Sequence, residues 1–384
     1  MVHGDSNNMK NHSIRPGKPF LDTEGMRIQA HGGSIFFDAE TETYYLYGEN
    51  KEFSVPGSGI WTWGVRAYAS RDFYNWEDKG LIVEPVLDDP LSPFNPRTAC
   101  LDRPHILFNQ KTEKYVCWMK IMHRDDNRRQ TVTIAVADSF LGPYSIVQSG
   151  VSPLGMNVGD FDLVDDENGK AYYYFERVHS ELICAELTAD YTDVTDVCSH
   201  HFPHPYPPFV REAPAHFKRN GLHYLITSGT TGYFPNRSEV AVSESWHGPF
   251  TVLGDPHPGD PTGTSFHSQI SSVFKMPGKK NLYVALADRW MPNAMEIPAA
   301  FCEEVFEGFF SGRVPLSEGE HFRESLIRKY GLQGYRSILV QNDTDTSVAD
   351  YVWLPLRFEE PAPQHPNGMI FIDWLDEWRI EDYS

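Results

Sequence analysis

A short apolar strand, a polar turn and a second apolar strand follow one another at residues 34–37 and 44–48, and the pattern returns four more times. The later copies pair residues 105–108 with 115–119, 161–164 with 171–175, 215–217 with 222–227, and 271–274 with 282–286. Comparable tyrosines, Tyr45, Tyr115, Tyr173, Tyr224 and Tyr283, recur at steps of about 50–70 residues. In the fourth copy the turn is Arg219-Asn220-Gly221, a hairpin signal because Asn and Gly accept positive φ at little cost. Further apolar segments complete the unit, as at residues 65–70 and 81–83 in the first copy. Four-stranded sheets repeated at this period are what a β-propeller requires, since each blade packs on the next and leaves only short edges. Five copies predict an all-β, five-bladed β-propeller. A β-sandwich of similar strand content would not need the repeated hairpins or the Gly-Pro-aromatic punctuation at Gly142-Pro143-Tyr144 and Gly248-Pro249-Phe250.

The rhythm breaks at about residues 293–349, where 301–310 and 320–330 have helix-like composition. An insertion of helical or irregular character, in or after the last blade, is expected there as a cap over one end of the propeller. Strand character resumes at residues 351–356, and the apolar segment 369–372, running on toward Trp378, is expected to supply the strand that closes the ring. Residues 1–25 read as a polar, poorly ordered lead-in and residues 26–384 as one propeller domain.

Composition narrows the function classes. Aromatics at 14%, with 28 Pro and 29 Gly, suit many short strands and tight turns. A formal charge of -20 argues against nucleic acid or an anionic membrane as partners, and leaves neutral ligands such as sugars open. Cys100, Cys117, Cys184, Cys198 and Cys302 lack CxxC spacing and read as reduced, mostly buried thiols. Residues 1–18 contain no apolar leader core, so a cytoplasmic protein is expected, or a secreted one if a leader has been removed.

A propeller gathers the first strand of every blade around one axis, so residues at or just before those strands converge. The five candidates are His31, Asp102, Asp160, Glu212 and Gln269. Three are acids, whose mutual repulsion would cost stability unless they formed a site. Convergent carboxylic acids suit glycoside hydrolysis, in which one acid protonates the leaving oxygen. Glu212 as that acid and Asp160 as the neighbour that raises its pKa form one self-consistent assignment. Trp61, Trp63, Trp118, Tyr233, Phe234 and Trp290 are candidates for stacking on sugar rings. His200, His201 and His204 lack an acid or Cys to complete a ligand set, so no metal site is expected there.

Taken in order, several pieces of the chain resemble glycoside hydrolase family 43, and within it the exo-β-1,3-galactanases. They are Ala30-His31-Gly32-Gly33, Tyr44-Tyr45-Leu46-Tyr47-Gly48-Glu49, Arg103-Pro104-His105, Asp160, Glu212-Ala213-Pro214, Thr227 to Asn236, Ser268-Gln269, Asp288-Arg289-Trp290 and Tyr351-Val352-Trp353-Leu354-Pro355. The resemblance implies a five-bladed propeller that releases single sugars, with inversion, from a β-1,3-galactan or galacto-oligosaccharide. It places Glu212 on the general acid and Asp160 on the residue that tunes and orients it. The family's usual base is a first-blade Asp, where this chain reads Ala30-His31-Gly32-Gly33; Gln269 matches a Gln proposed to assist the water in the galactanase branch. With Trp118 added from the aromatics, the expected sugar-contacting set is His31, Glu49, Asp102, Trp118, Thr230, Tyr233, Asp288 and Arg289. Departures from the branch are Asp102 where Glu is common, Lys120 in place of an expected His, and the insertion at about 293–349. Other family 43 activities, such as α-L-arabinofuranosidase, β-galactofuranosidase or β-xylosidase, or a non-catalytic sugar-binding propeller, are the alternatives. No cofactor is expected, and a structural calcium ion on the propeller axis stays open.

Overall fold

Five four-stranded antiparallel sheets stand around one axis in this computed structural model, which describes residues 10–124, 129–341 and 344–384. Blade one is β1 (His31–Asp38), β2 (Thr43–Glu49), β3 (Val65–Ser70) and β4 (Glu77–Val83). Blade two is β5 (Ala99–Asn109), β6 (Lys114–His123), β7 (Gln130–Ala137) and β8 (Ser145–Val151). Blade three is β9 (Val158–Asp165), β10 (Ala171–Arg177), β11 (Glu181–Leu187) and β12 (Val194–His201). Blade four is β13 (Arg211–Arg219), β14 (Leu222–Gly229), β15 (Glu239–Ser243) and β16 (Thr251–Gly254). Blade five is β17 (Gln269–Lys275), β18 (Tyr283–Arg289), β19 (Asp350–Glu359) and β20 (Met369–Ile372). Strands pair only with their sequence neighbours within each sheet, and β1, β5, β9, β13 and β17 touch one another in cyclic order. The predicted five-bladed propeller is the observed fold.

Local sequence explains the parts. The β13–β14 hairpin turns on Asn220 (φ 51°) and Gly221 (φ 80°), the left-handed pair that a tight two-residue loop needs. Strand β10 is buried from Ala171 through Glu176 with no alternation, because its sheet has a neighbour against each face. Between blades the side chains form separate apolar layers. Trp76, Phe73 and Tyr68 of blade one meet Trp353, Phe274 and Leu286 of blade five, and Trp118 and Ile134 of blade two meet Tyr173 and Phe161 of blade three. All five cysteines are free thiols, and four are buried.

Two sequence expectations change. Strand β20 does not close the ring; it pairs only with β19, at the outer edge of blade five. Closure comes instead from β1 against β17 and from a bridge between Ile14 and Trp378. The lead-in is therefore pinned over its described part, because buried Ile14 hydrogen-bonds in both directions with Trp378. Residues 1–9 of that lead-in lie outside the described residues.

The insertion sits within blade five, between β18 and β19, as α1 (Ala299–Phe310), α2 (Gly319–Tyr330) and α3 (Arg336–Gln341); its residues 342–343 lie outside the described residues. It has its own core of Phe301, Cys302, Leu326, Ile327 and Leu339, continued onto the propeller by Trp290, Tyr233 and Phe234. The helices therefore stand over one end of the ring.

Trp378 is 3% exposed, and its indole N–H donates to Trp353 O at 2.8 Å. Trp378→Ala is expected to cost about 3 kcal/mol or more, the usual range for emptying a buried Trp site. A urea titration of folded protein measures that loss as a lowered midpoint.

Candidate active site

Every inner strand carries a register shift at its candidate residue. The shifts fall between His31 and Ser34, between Asp102 and His105, opposite Phe175 and Arg177 beside Asp160, between Glu212 and Ala215, and between Ile270 and Ser272 next to Gln269. A bulge breaks the ladder and re-aims the side chain beside it, here toward the axis. Arg103 (φ 49°) and Ala213 (φ 46°) take the left-handed conformation inside two of the bulges. Pro104 and Pro214 follow them, where the ladder has no need of their missing N–H. Gly32 (φ 64°) serves blade one, and a Cβ there would lie 2.5 Å from Glu49 Oε1. The space beside Gly32 is thus taken by the Glu49 carboxyl from the neighbouring strand.

The bulges open onto a cleft of about 470 Å³ whose floor carries Asp102, Arg103, Lys120, Asp160, Glu212 and Gln269. Gln269 Nε2 donates to Glu212 Oε1 at 3.3 Å and to Ser228 Oγ at 2.9 Å. Its Oε1 accepts from Arg103 and, at 3.3 Å, from the Trp290 indole. Lys120 Nζ lies 2.6 Å from both Asp102 Oδ2 and Asp160 Oδ1, and Arg103 reaches Asp160 Oδ2 at 3.0 Å. Beneath the floor, Glu49 contacts Lys51 Nζ at 2.6 Å and accepts from the Arg103 backbone N–H at 3.1 Å.

Opposite environments separate the acids. Burial, and then the charge of Asp160, raise the Glu212 carboxyl well above the usual carboxylate range. Burial and the charge of Asp102 push Glu49 up to about 8, so that it stays protonated near neutral pH and donates to Asp102. For Asp102, burial alone acts upward, but Lys120, the bond from Glu49 and Lys51 hold the carboxyl well below the usual range. The floor therefore combines a carboxylic acid that keeps its proton with an ionised carboxylate, the division of labour that glycosidic cleavage needs.

Of the expected sugar contacts, Asp102, Thr230 and Tyr233 line the cleft. The others do not. Trp118 is fully buried between blades two and three, its indole donating to Tyr191 O at 2.7 Å. Arg289 is buried away from the cleft, donating to Phe266 O at 2.7 Å and lying over the Trp374 ring. His31 stacks on Tyr351 and bonds Asp288 at 3.0 Å, and Asp288 also accepts from Gly32 N, so this pair and Glu49 brace the floor from below. Trp61, Phe234 and Trp290 do line the cleft, whereas Trp63 packs on Phe53 to one side. Period-2 strand reading cannot tell these faces apart, because a bulge reverses them.

Sequence reasoning gave no role to Arg103 or Lys51, and marked Lys120 only as a departure. Their signal was positional: Arg103 follows a candidate acid directly, and Lys120 faces Asp102 across the β5–β6 hairpin. Lys51 is wholly buried, with Nζ 4.6 Å from the Trp61 ring centroid. For a calcium ion, which wants six to eight oxygens, the described residues offer no cluster of three or more His, Cys, Asp or Glu side chains.

A five-bladed propeller that turns a protonated acid and an ionised carboxylate into one cleft has the parts that glycosidic cleavage requires. The model of glycosyl hydrolases family 43 matches residues 33–290, and the chain belongs to that family. Among solved structures, the family 43 β-1,3-galactosidase BT0265 superposes with a TM-score of 0.73 at 24% identity, over 98% of this chain and 65% of its own. The chain thus spans less than two thirds of that protein. The family 43 β-1,3-galactosidase BT3683, solved with galactodeoxynojirimycin, gives 0.71 at 25% identity, over 96% of this chain and 100% of its own. The exo-β-1,3-galactanase of Phanerochaete chrysosporium, solved with β-1,3-galactotriose, gives 0.69 at 23% identity, over 96% and 68%. No curated protein matches the chain.

Replacing Lys120 by Met keeps its bulk but leaves Asp102 and Asp160 facing each other without their shared cation. Because Asp102 is depressed in the folded state, its contribution is present above the unfolded value of about 3.9 and fades below it. Lys120→Met is therefore expected to cost about 3–5 kcal/mol from neutral pH down to about 4, and less as the pH falls further. Urea denaturation across that range measures both the deficit and its slope.

Proposed function

We propose that the chain is an inverting, exo-acting hydrolase that releases single galactose residues from the end of a β-1,3-galactan or galacto-oligosaccharide. The observation that carries the reading is the Glu212 carboxyl, set on the cleft floor against Gln269 and kept protonated by burial and by Asp160. The sugar assignment draws on BT3683, a β-1,3-galactosidase at 25% identity. A cleft of about 470 Å³, walled on one side by the inserted helices, suits the end of a chain.

In this reading Glu212 donates its proton to the glycosidic oxygen as the bond to the anomeric carbon breaks. Asp160, fixed between Lys120 and Arg103, raises and orients that acid. A water attacks the opposite face of the sugar, which inverts the anomeric centre; the proton that this water sheds passes to solvent, and Glu212 is reprotonated from solvent before the next turnover. Gln269 helps to place that water. Its amide is pinned by four partners, Glu212, Ser228, Arg103 and Trp290, so it contributes orientation more than basicity. Asp102, held ionised by Lys120, accepts from a sugar hydroxyl.

Proton NMR of a fresh digest of β-1,3-galactotriose is expected to show α-galactose first. Glu212→Gln should lower kcat by about 10²–10⁴-fold, the usual contribution of a positioned acid. β-Galactose as the first product would overturn inversion, and turnover of an aryl arabinofuranoside or xyloside in place of galactosides would overturn the substrate.

The alkaline limb of kcat/KM should report loss of the Glu212 proton. A nearby negative charge disfavours ionisation, so Asp160→Asn is expected to lower the pKa of Glu212 and move that limb to lower pH. An unmoved limb would assign it to another group.

A further inference from the structure

Helix α1 presents two faces. Phe301 and Cys302 point into the core of the insertion, whereas Phe306 and Phe310, four residues apart, lie on the cleft side and line it. Their rings stack with centroids 6.1 Å apart and planes 11° from parallel. Phe310 is 45% exposed, and its ring meets the edge of His179 at 5.2 Å. His179 is itself fixed, because the buried Glu176 carboxylate accepts its backbone N–H at 2.8 Å and lies 3.2 Å from its ring. Phe306 reaches the loop after β14, its Cζ 3.8 Å from where a Gly232 side chain would begin. The helix thus touches blades three and four, the two blades that supply Asp160 and Glu212.

A general acid must lie against the glycosidic oxygen, so the leaving-group sugar begins where the Glu212 carboxyl ends and runs outward to the rim. The Phe306–Phe310 pair lines the same cleft, on a helix that touches blades three and four. A flat, partly exposed aromatic surface is matched by the face of a galactopyranose that carries only C–H groups at C3, C4 and C5. The insertion lies wholly beyond residues 33–290, the part matched by the family model.

We propose that Phe306 and Phe310 form a binding platform for the sugar on the leaving-group side of the scissile bond, supplied by the inserted helices. It sets a preference for oligosaccharides over substrates with small leaving groups. The proposal rests on the reading of the chain as an exo-galactanase.

The test compares β-1,3-galactotriose, which covers the platform, with β-galactosyl fluoride, which leaves it bare. Phe310→Ala and the Phe306→Ala/Phe310→Ala double variant are assayed for both, with a thermal melt as a check on folding. The expected result is a rise of about tenfold in KM for the triose with kcat little changed, and a change of less than about twofold for the fluoride. The single Phe310→Ala variant removes an exposed ring and keeps the test open if the double variant unfolds. Equal losses on both substrates, or no loss on the triose, would overturn the platform while leaving the galactanase reading standing. A wild-type protein inert on both substrates would overturn that reading and the platform with it.

Discussion

A sheet that is apolar on both faces is stable only between two others, and that constraint governs this molecule. Each blade's central strands are buried on both sides, so no blade can fold to completion without its neighbours. Five such sheets close a ring, and closing it forces five inner strands to converge. Convergence makes the axis crowded and polar at once. The chain resolves the crowding with a bulge in every inner strand, which in blades two to five brings Asp102, Asp160, Glu212 and Gln269 to the cleft and in blade one leaves His31 beneath its floor.

Packing four carboxylic acids into and just beneath one floor would be unfavourable without compensation. The compensation is uneven, and the unevenness has chemical use. Lys120 and Arg103 hold the Asp160 and Asp102 side of the site, while Glu212 faces a neutral amide and no cation of its own. Glu212, with a negative neighbour and an amide partner, keeps its proton, whereas Asp102, beside the Lys120 ammonium, gives its proton up. Asp102 is a methylene shorter than Glu, and Lys120 spans the gap between it and Asp160. Two of the three departures noted in the sequence, Asp102 and Lys120, are therefore one structural feature, a short acid bridged by a long cation.

Much of this was legible beforehand. The hairpins at Asn220-Gly221 and its counterparts, the number of blades, the helical break in the last repeat and the convergence of Asp102, Asp160, Glu212 and Gln269 all follow from local pattern and from the geometry of a ring. Other assignments did not survive folding. Trp118 lies two residues from cleft-lining Lys120 and Arg289 is adjacent to cleft-lining Trp290, yet one is packed between blades and the other is buried against Phe266, away from the cleft. His31 and Glu49 belong to the site's support, where burial and pairing decide their role.

The sequence by itself determined the repeat, the strand-and-turn grammar and the residues that a ring must bring to its axis, because these depend on periodicity and on the φ preferences of single residues. Tertiary structure decided which face each side chain takes after a bulge, which carboxylates receive a cation, and how the ring is fastened by Ile14 and Trp378 rather than by β20. It also decided that the inserted helices wall the cleft. These outcomes rest on contacts between residues far apart in the chain, whose energies depend on burial and distance, and neither is encoded at any one position.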